Sequence, residues 1–327
     1  MSYPDQVKNT LGSKACRPDG KFLFLLGLVL VLIFPFFFWS GPGYHSPRSY
    51  KAVWNLGHIL FFTLATVFAC SLAWQRGMKT DQKFVLVLLV TGIVIGILIE
   101  VVQLGISGRS VDCRDVYRDI LGLFAGLFLC RIIPGPIRLQ RLLGLILIIF
   151  LLFSGVPLIM ALTDEVLAVR QFPLLADFET PFEAWRFMPT NRVRRTALYA
   201  RHGRHSLRVQ LTTATYSGVS LFSFPHNWQG YEQLHFSVYN PYQSELTLYC
   251  RIHDKWHKDH GQRYDDRFNQ RLRLIPGWND YRIPLAAVRF APLQREMDMR
   301  AIESFALFVA RQDRARVLYV DHIFLSR

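Results

Sequence analysis

The sequence lacks the motifs that would assign a reaction. It contains no P-loop, no GxGxxG, no GxSxG elbow, no CxxC pair and no HExxH motif. Cysteine is nearly absent from the second half of the chain, where Cys250 stands alone and cannot form an internal disulfide. Lysine is rare there too, with 2 Lys against 21 Arg over residues 170–327. Because fixed-period repeats and heptads are also missing, solenoid and coiled-coil folds are excluded.

The first half of the chain contains apolar runs that are too long for a soluble core. A membrane-spanning helix needs about 20 mostly apolar residues. Five segments meet that need, namely residues 22–39, 56–74, 84–104, 116–133 and 142–162. The sequence therefore predicts an α-helical membrane domain of five spans over residues 22–162, after a cytoplasmic N-terminal segment, residues 1–21.

Basic residues near the ends of these segments predict their orientation. With the N-terminus in the cytoplasm, ten Lys and Arg residues lie on the inner side and four on the outer side. Five crossings then deliver a tether, residues 163–176, and a polar domain, residues 177–327, to the outer side of the membrane. Nucleic acid is a poor partner for a domain in that place, although the net charge is +14.

Residues 100–119 form the richest polar stretch of the membrane half. Glu100 and Gln103 are three residues apart and share one helix face, whereas Asp115 and Asp119 are four apart and share another. An ionisable group at the centre of a membrane helix costs about 2.5 to 3.5 kcal/mol unless it pairs or faces a cavity. Several such groups together therefore indicate a polar pocket.

Two interpretations of this pocket remain open. In the first, Glu100, Arg109 and Asp115 form a salt-bridged staple that joins two helices without any chemistry. In the second, they hold a polar headgroup or transfer a proton. His58 lies at the outer end of the second span, from where it reaches the same pocket or remains an interfacial residue.

The same polar residues belong to a longer pattern over roughly residues 50–133. It consists of His58, Glu100, Gln103, Gly108, Arg109, Ser110, Asp115, Gly122 and Gly126. This pattern resembles the VanZ-like membrane family, and its two last glycines also predict a close helix contact. Asn55 and Asp119 depart from the family, which commonly has Lys and Asn at those places. The resemblance implies a cell-envelope role in a bacterial cytoplasmic (inner) membrane, but no reaction.

From residue 177 onward the pattern changes to short apolar segments separated by Gly, Pro, Asn and Asp. In the segment SLRVQL, Leu207, Val209 and Leu211 face a core while the residues between them face solvent. Comparable segments begin at residues 206, 218, 234, 246, 270, 280, 304 and 317. This spacing predicts an all-β domain, an antiparallel β-sandwich of eight or nine strands.

Several short motifs of this half follow one another in a fixed order. They are DFE at 177–179, GRHSL at 203–207, NWQGY at 227–231, LHFSVYN at 234–240, PGWN at 276–279, IPL at 283–285 and DHI at 321–323. Their order resembles galactose-binding-domain-like jelly rolls, the fold of many carbohydrate-binding modules, over about residues 177–327. The resemblance implies a structural calcium held by Glu179 and Asp321. From the residues alone, Asp321 is equally an acceptor of backbone hydrogen bonds, since two carboxylates do not make a calcium site.

The polar insert at residues 253–269 is the candidate ligand surface of this half. Sugar recognition needs flat aromatic faces beside polar groups. The insert offers both in Asp254, Trp256, Arg263, Tyr264 and Arg267. The alternative is a solvated hairpin whose aromatic residues cover the edge of a core. Because arginine suits carboxylate, sulfate and phosphate, acidic glycans and membrane lipid headgroups are the candidate partners.

Two functions agree with these patterns. The first is a membrane protein that displays a carbohydrate-binding domain outside the membrane and holds an envelope or extracellular polysaccharide there. The second is a membrane enzyme or transporter of lipid-linked envelope precursors, in which Glu100, Arg109 and Asp115 engage a phosphate or move a proton. The residue types alone do not decide whether the protein catalyses a reaction.

Overall fold

The computed structural model describes residues 18–39, 41–43, 46–106, 113–133 and 135–327. The chain divides into two compact units, Met1–Ile159 and Met160–Arg327. The described part of the first unit is helical, and the second consists mainly of β-strands. The predicted change of structural class between the two halves is therefore confirmed.

Five long helices are present in the described part of the chain. They are α1 (Gly20–Ile33), α2 (Arg48–Gln75), α3 (Gln82–Gln103), α4 (Cys113–Leu129) and α5 (Ile137–Gln171). Asp19 and Asp81 cap α1 and α3, because each carboxylate accepts a backbone N–H of the first turn. After α1 the chain tightens into a 3-10 turn at Phe34–Phe37, which contains Pro35. The absence of an N–H on proline is consistent with the change of helix type there.

Four of the described helical segments are long and apolar enough to cross a membrane, namely Gly20–Phe37, Arg48–Gln75, Gln82–Gln103 and Ile137–Gln171. The predicted number of five spans is thus corrected to four. The helix that does not qualify is α4, whose 17 residues extend about 25 Å against a hydrocarbon thickness of about 30 Å. Its first two turns also carry charged residues, namely Arg114, Asp115, Arg118 and Asp119.

Helix α4 packs against α2 and α3 through glycines on both contacts. A Cβ atom on Gly126 would lie 2.4 Å from the Cβ of Thr66 on α2, and one on Gly122 would lie 2.6 Å from a backbone oxygen of α2. On the other side, a Cβ on Gly96 of α3 would lie 2.5 Å from Oδ2 of Asp119. Since real Cβ atoms do not come so close, the predicted glycine contact is confirmed, and a second one exists on α3.

Helix α5 continues to Gln171, so residues 163–171 of the predicted tether are helical. The sequence of this stretch, TDEVLAVRQ, contains neither glycine nor proline, and Pro173 is the first helix breaker after it. Asp164 in this last part of α5 is buried within the second unit, where it bonds to Arg186. The helix end therefore belongs to the fold of the second unit.

Residues 174–326 contain eleven strands. They are β1 (Leu174–Ala176), β2 (Phe187–Met188), β3 (Val193–Thr196), β4 (Ser206–Leu211), β5 (Tyr216–Leu221), β6 (Gln233–Asn240), β7 (Leu246–Asp254), β8 (Phe268–Leu274), β9 (Gly277–Pro284), β10 (Ile302–Ala310) and β11 (Arg316–Ser326). Two short helices, α6 (Lys255–Asp259) and α7 (Leu285–Arg289), follow β7 and β9. The eight predicted strands are all present, and the short strands β1, β2 and β3 are additional.

The strands form two antiparallel sheets. One has the order β3-β4-β11-β6-β9, with β1 also pairing to β11, and the other has the order β2-β5-β10-β7-β8. The core lies between them and contains Leu207, Val209 and Leu211, as the alternation in β4 predicts. Trp228 is also fully buried there. The predicted antiparallel β-sandwich is therefore confirmed.

Candidate functional site

A group of buried polar side chains lies among three helices of the first unit. We call it the His58 cluster, and it consists of His58 on α2, Glu100 on α3, and Asp115 and Asp119 on α4. Their exposed fractions are 3, 3, 8 and 1%. Polar groups so far from water are costly unless they interact with one another. The structure thus brings together four of the six residues that the sequence places in the pocket.

His58 faces the two aspartates with different ring nitrogens. Its Nδ1 lies 2.8 Å from Oδ1 of Asp119, and its Nε2 lies 3.8 Å from Oδ2 of Asp115. The other oxygen of Asp115 accepts a hydrogen bond from Arg118, one helical turn further on. Glu100 completes the group, because one ligand atom each of His58, Glu100 and Asp115 all lie within 4.8 Å of one another.

The two remaining predicted pocket residues are Gln103 and Arg109. Gln103 is buried, and its Nε2 donates a hydrogen bond of 2.8 Å to the backbone oxygen of Phe37, so the amide ties α3 to the turn after α1. Arg109 lies outside the described residues. The arginine that the structure places beside Asp115 is Arg118, which sequence analysis did not assign to the pocket. Its spacing of three residues from Asp115 on one helix is the signal that indicates the pair.

In the sandwich, the five predicted ligand residues of the polar insert do not share one environment. Asp254 is buried, and its two oxygens accept bonds of 2.5 and 2.8 Å from Arg295. It also caps α6 by accepting the N–H of His257 at 3.0 Å. Burial raises the pKa of Asp254, but the hydrogen bonds from Arg295 and from backbone N–H groups outweigh it and hold the pKa below the usual value. Asp254 is therefore a structural anion.

Trp256 and Arg263 also have local partners. The indole ring of Trp256 stacks on His260, with 3.5 Å between ring centroids and 7° between planes. One face of the indole is thus covered, although the side chain borders a shallow cavity of about 480 Å³ together with Arg295 and Asp298. Arg263 forms an exposed ion pair with Asp265 at 2.7 Å. A stacking platform at Trp256 would therefore have a single open face.

Tyr264 and Arg267 lie together at the start of β8. Tyr264 is 72% exposed, and the guanidinium carbon of Arg267 lies 5.1 Å from its ring centroid. Arg267 alternates with Phe268, which is part of the core, so it faces the outer side of the five-stranded sheet. These two predicted residues are thus at the edge of that outer face.

An aromatic row, which we define as Tyr216, Phe308 and Tyr249, crosses the same outer face. Phe308 alternates with core residues of β10 and pairs with Gly218 of β5 and Tyr249 of β7. The rings of Phe308 and Tyr249 stack with 5.4 Å between centroids, and Tyr216 meets Phe308 edge-on at 6.0 Å. Gly218 is needed because a Cβ there would lie 2.4 Å from the Cβ of Phe308.

Sequence analysis did not assign the aromatic row to a site. Phe308 and Tyr249 occupy outward positions of two predicted strands, where period-two alternation marks them as facing away from the core. Tyr216 precedes the strand segment predicted from residue 218, and the structure extends that strand to include it. The order of strands in the sheet, β5-β10-β7, is what places them side by side. That order depends on contacts between segments that are distant in the sequence.

Two arginines flank the aromatic row. Arg251 lies on β7 next to Tyr249 in outward register, and Arg267 lies in the last part of the polar insert, directly before β8. The Nε atoms of both are buried and have no hydrogen-bond partner in the described part of the chain. Burial lowers the pKa of both groups, and the positive charge of Arg267 lowers the pKa of Arg251 further. The outer face therefore carries concentrated positive charge beside flat apolar rings.

Glu179 and Asp321 accept hydrogen bonds from one loop. Oε1 of Glu179 accepts the N–H groups of Arg204 and His205, both at 2.8 Å. Oδ2 of Asp321 accepts those of Arg201 and His202, at 2.6 and 3.0 Å. N–H groups direct positive dipole ends at these oxygens, which favours the hydrogen-bonding role over calcium binding. Calcium at Glu179 and Asp321 remains an untested prediction.

No protein-family model matches the chain, and no curated protein matches it. The resemblance to the VanZ-like family therefore stays a prediction. Among solved structures, the chain is similar to a family 11 carbohydrate-binding module from Clostridium thermocellum in complex with a β-1,3-1,4-mixed-linked tetrasaccharide. The identity is 16%, the TM-score is 0.35, and the match covers 47% of this chain and 94% of the module.

Two other solved structures give similar values. A family 11 module of a cellulosomal cellulase from Clostridium thermocellum is 15% identical with a TM-score of 0.31, and the match covers 41% of this chain and 79% of the module. An exo-β-agarase is 14% identical with a TM-score of 0.35, and the match covers 47% of this chain and 24% of the agarase. Scores this low assign no ligand to the present chain.

Proposed function

We propose that the protein is a membrane-anchored glycan-binding protein whose sugar site is the outer face of the five-stranded sheet. The observation that carries the proposal is the aromatic row of Tyr216, Phe308 and Tyr249 on three adjacent strands. Aromatic faces attract the C–H groups of sugar rings, and polar neighbours fix the hydroxyls. Three strands span about 10 Å, since strands lie about 4.8 Å apart.

The favoured ligand is an acidic glycan. Arg251 and Arg267 flank the row with buried Nε atoms that have no hydrogen-bond partner among the described residues. A carboxylate or sulfate on the glycan would supply the acceptors, and such charge-assisted bonds are stronger than neutral ones. The edge of the face adds Tyr264, whose ring is exposed beside Arg267.

Binding of a uronic-acid polymer by the full-length protein in detergent tests this proposal. Tyr216→Ala should weaken binding by about 3- to 10-fold, because it removes one exposed aromatic contact. Arg251→Gln should weaken it by about 10- to 100-fold, because it removes a charge-assisted contact. Binding of a neutral β-glucan should respond to Tyr216→Ala but much less to Arg251→Gln.

Trp256→Ala is the matched control, since this exposed aromatic residue lies on the polar insert and already stacks on His260. We expect the Trp256 variant to bind like the unmodified protein. The proposal is wrong if Trp256→Ala abolishes binding while Tyr216→Ala and Arg251→Gln leave it unchanged. That result would assign the site to the insert.

The anchor in this proposal is the helical unit, and α4 decides on which side of the membrane the sandwich lies. Four crossings would return the chain to the side where it started, whereas a fifth crossing by α4 would place the sandwich outside. Two fusions after Arg327 distinguish these arrangements. Active alkaline phosphatase with dark green fluorescent protein would place the sandwich outside, and the reverse pattern would place it in the cytoplasm.

The His58 cluster supports a second candidate function, action on lipid-linked envelope precursors. Buried ionisable groups within apolar helices are costly and often serve a pathway or a reaction. If this function holds, the full-length protein in vesicles should alter a lipid-linked saccharide, and Glu100→Gln should abolish the change. Unchanged substrate with the unmodified protein would leave glycan binding as the only candidate.

A further inference from the structure

We propose that the His58 cluster binds one divalent transition-metal ion, with Nε2 of His58 and one oxygen each of Glu100 and Asp115 as ligands. The three residues come from three helices, and their ligand atoms lie within 4.8 Å of one another. Atoms that share a zinc ion at about 2.1 Å lie about 3.4 Å apart in tetrahedral geometry. Small side-chain rotations are therefore enough to close the site. Glycan binding by the sandwich does not enter this argument.

The separation between His58 and Asp115 favours a metal over a hydrogen bond. Nε2 of His58 lies 3.8 Å from Oδ2 of Asp115, although both side chains are buried. A hydrogen bond between nitrogen and oxygen requires about 2.7 to 3.2 Å. The nitrogen makes no hydrogen bond within the described part of the chain and points toward the carboxylate. An ion bound to both atoms explains a buried pair at this distance, whereas a shared proton does not.

The second nitrogen of His58 has the partner that a metal-binding histidine usually has. Nδ1 lies 2.8 Å from Oδ1 of Asp119, which is 1% exposed. A histidine ligand commonly donates its other N–H to a carboxylate, which fixes the ring and presents the free nitrogen to the metal. Asp119 is therefore a positioning residue rather than a ligand.

The carboxylate of Asp115 is oriented in a comparable way. Its Oδ1 accepts a hydrogen bond from Arg118, and its Oδ2 is the oxygen that faces His58. The two oxygens thus have separate partners, and the arginine does not occupy the atom that the metal needs. Outer partners of this kind hold the ligands of metal sites in place.

The donor set limits the choice of metal. One imidazole nitrogen with two carboxylate oxygens suits zinc, manganese or ferrous iron, whereas calcium and magnesium prefer oxygen ligands alone. Three protein ligands leave at least one coordination position open, as in catalytic zinc sites. That position would accept water or an oxygen of an anionic substrate group such as a phosphate.

Metal binding by the full-length protein in detergent tests the proposal. After treatment with a chelator, the unmodified protein should bind one Zn²⁺ or Mn²⁺ per chain. His58→Ala and Asp115→Asn should lower the affinity by 100-fold or more. Asp119→Asn should lower it by about 10- to 100-fold, as expected for an outer partner. His260→Ala, which changes an exposed imidazole of the sandwich, should leave the affinity unchanged.

X-ray absorption at the metal edge of the loaded, unmodified protein supplies a measurement that needs no variant to fold. A first shell of nitrogen and oxygen atoms without sulfur, with the outer-shell scattering of one imidazole ring, supports the site. A shell that contains sulfur, or several imidazoles, would overturn the proposal by placing the ion at cysteines or at the histidines of the sandwich. Equal affinity of the unmodified protein and His58→Ala would overturn it as well. Glycan binding should survive chelation, so a failure of either proposal leaves the other intact.

Discussion

The two units of this protein differ in how they accommodate buried charge. In the sandwich, Arg186 is fully buried and donates to both oxygens of Asp164 at 2.8 to 3.1 Å and to the backbone oxygen of Leu175. In the helical unit, three carboxyl groups gather around His58 and Arg118, and Oδ2 of Asp119 has no hydrogen-bond partner among the described residues. The buried pair in the sandwich serves the fold, whereas a buried carboxylate oxygen such as Oδ2 of Asp119, which has no such partner among the described residues, indicates a site.

Removing the arginine of the buried pair Arg186–Asp164 should give the largest loss of stability. Arg186→Leu leaves Asp164 as a buried charge without its partner. We expect a loss of about 3 to 5 kcal/mol in the free energy of unfolding. Urea unfolding of the fragment Met160–Arg327, which contains its own core, measures this loss. A fragment that begins at residue 172 lacks Asp164 and should be destabilised to a similar degree.

The control is Arg201→Leu, which removes an exposed ion pair with Asp280. Such pairs contribute about 0 to 1 kcal/mol. The double variant Asp164→Leu/Arg186→Leu should recover much of the stability, because no unpaired charge remains. If Arg186→Leu costs no more than Arg201→Leu, the buried pair does not stabilise the sandwich.

A second buried carboxyl group of the sandwich, Asp321, should make the stability depend on pH. The expected effect on the free energy of unfolding is somewhat smaller. Burial raises the pKa of Asp321 from 3.8 to about 6, although three backbone N–H groups favour the charged form. The folded state therefore binds the proton more tightly than the unfolded state. This contribution to stability is complete below about pH 4 and is lost as the pH rises through about 6, and it amounts to about 3 kcal/mol.

Asp321→Asn should remove this pH dependence while retaining an acceptor for the loop N–H groups. Urea unfolding of the fragment Met160–Arg327 between pH 4 and 7 gives the comparison. The exposed Asp313→Asn variant is the control and should follow the unmodified fragment. Parallel stability curves for Asp321→Asn and the unmodified fragment would show that Asp321 does not titrate in this range.

In the helical unit, a substitution at the glycine contact of α4 should give the smallest of the expected losses of stability. Gly126→Ala places a Cβ 2.4 Å from the Cβ of Thr66, so the helices must separate slightly. Overpacking of this kind costs about 1 to 3 kcal/mol. Thermal unfolding in detergent should therefore occur at a lower temperature than for Gly57→Ala, which fills open space on α2. Equal stability of the two variants would argue against close packing of α4 on α2.

The predictable part of the structure is the part that local patterns determine. Alternation located the strands from β4 to β11, and ionisable residues in apolar segments indicated that Glu100 and Asp115 approach each other. The pair of Asp164 and Arg186 could not be foreseen, because a short polar stretch before Pro173 suggested a tether. The aromatic row also required the strand order, which depends on long-range pairing between β5, β10 and β7.

Strand β11, the last in chain order, pairs with β4, β6 and β1 in the six-stranded sheet. Until residues 316–326 have emerged during synthesis, β4 and β6 each lack a neighbour and expose unpaired backbone groups. Such edges readily join other chains. The nascent sandwich therefore needs protection from aggregation, for example by a chaperone, until its last strand arrives.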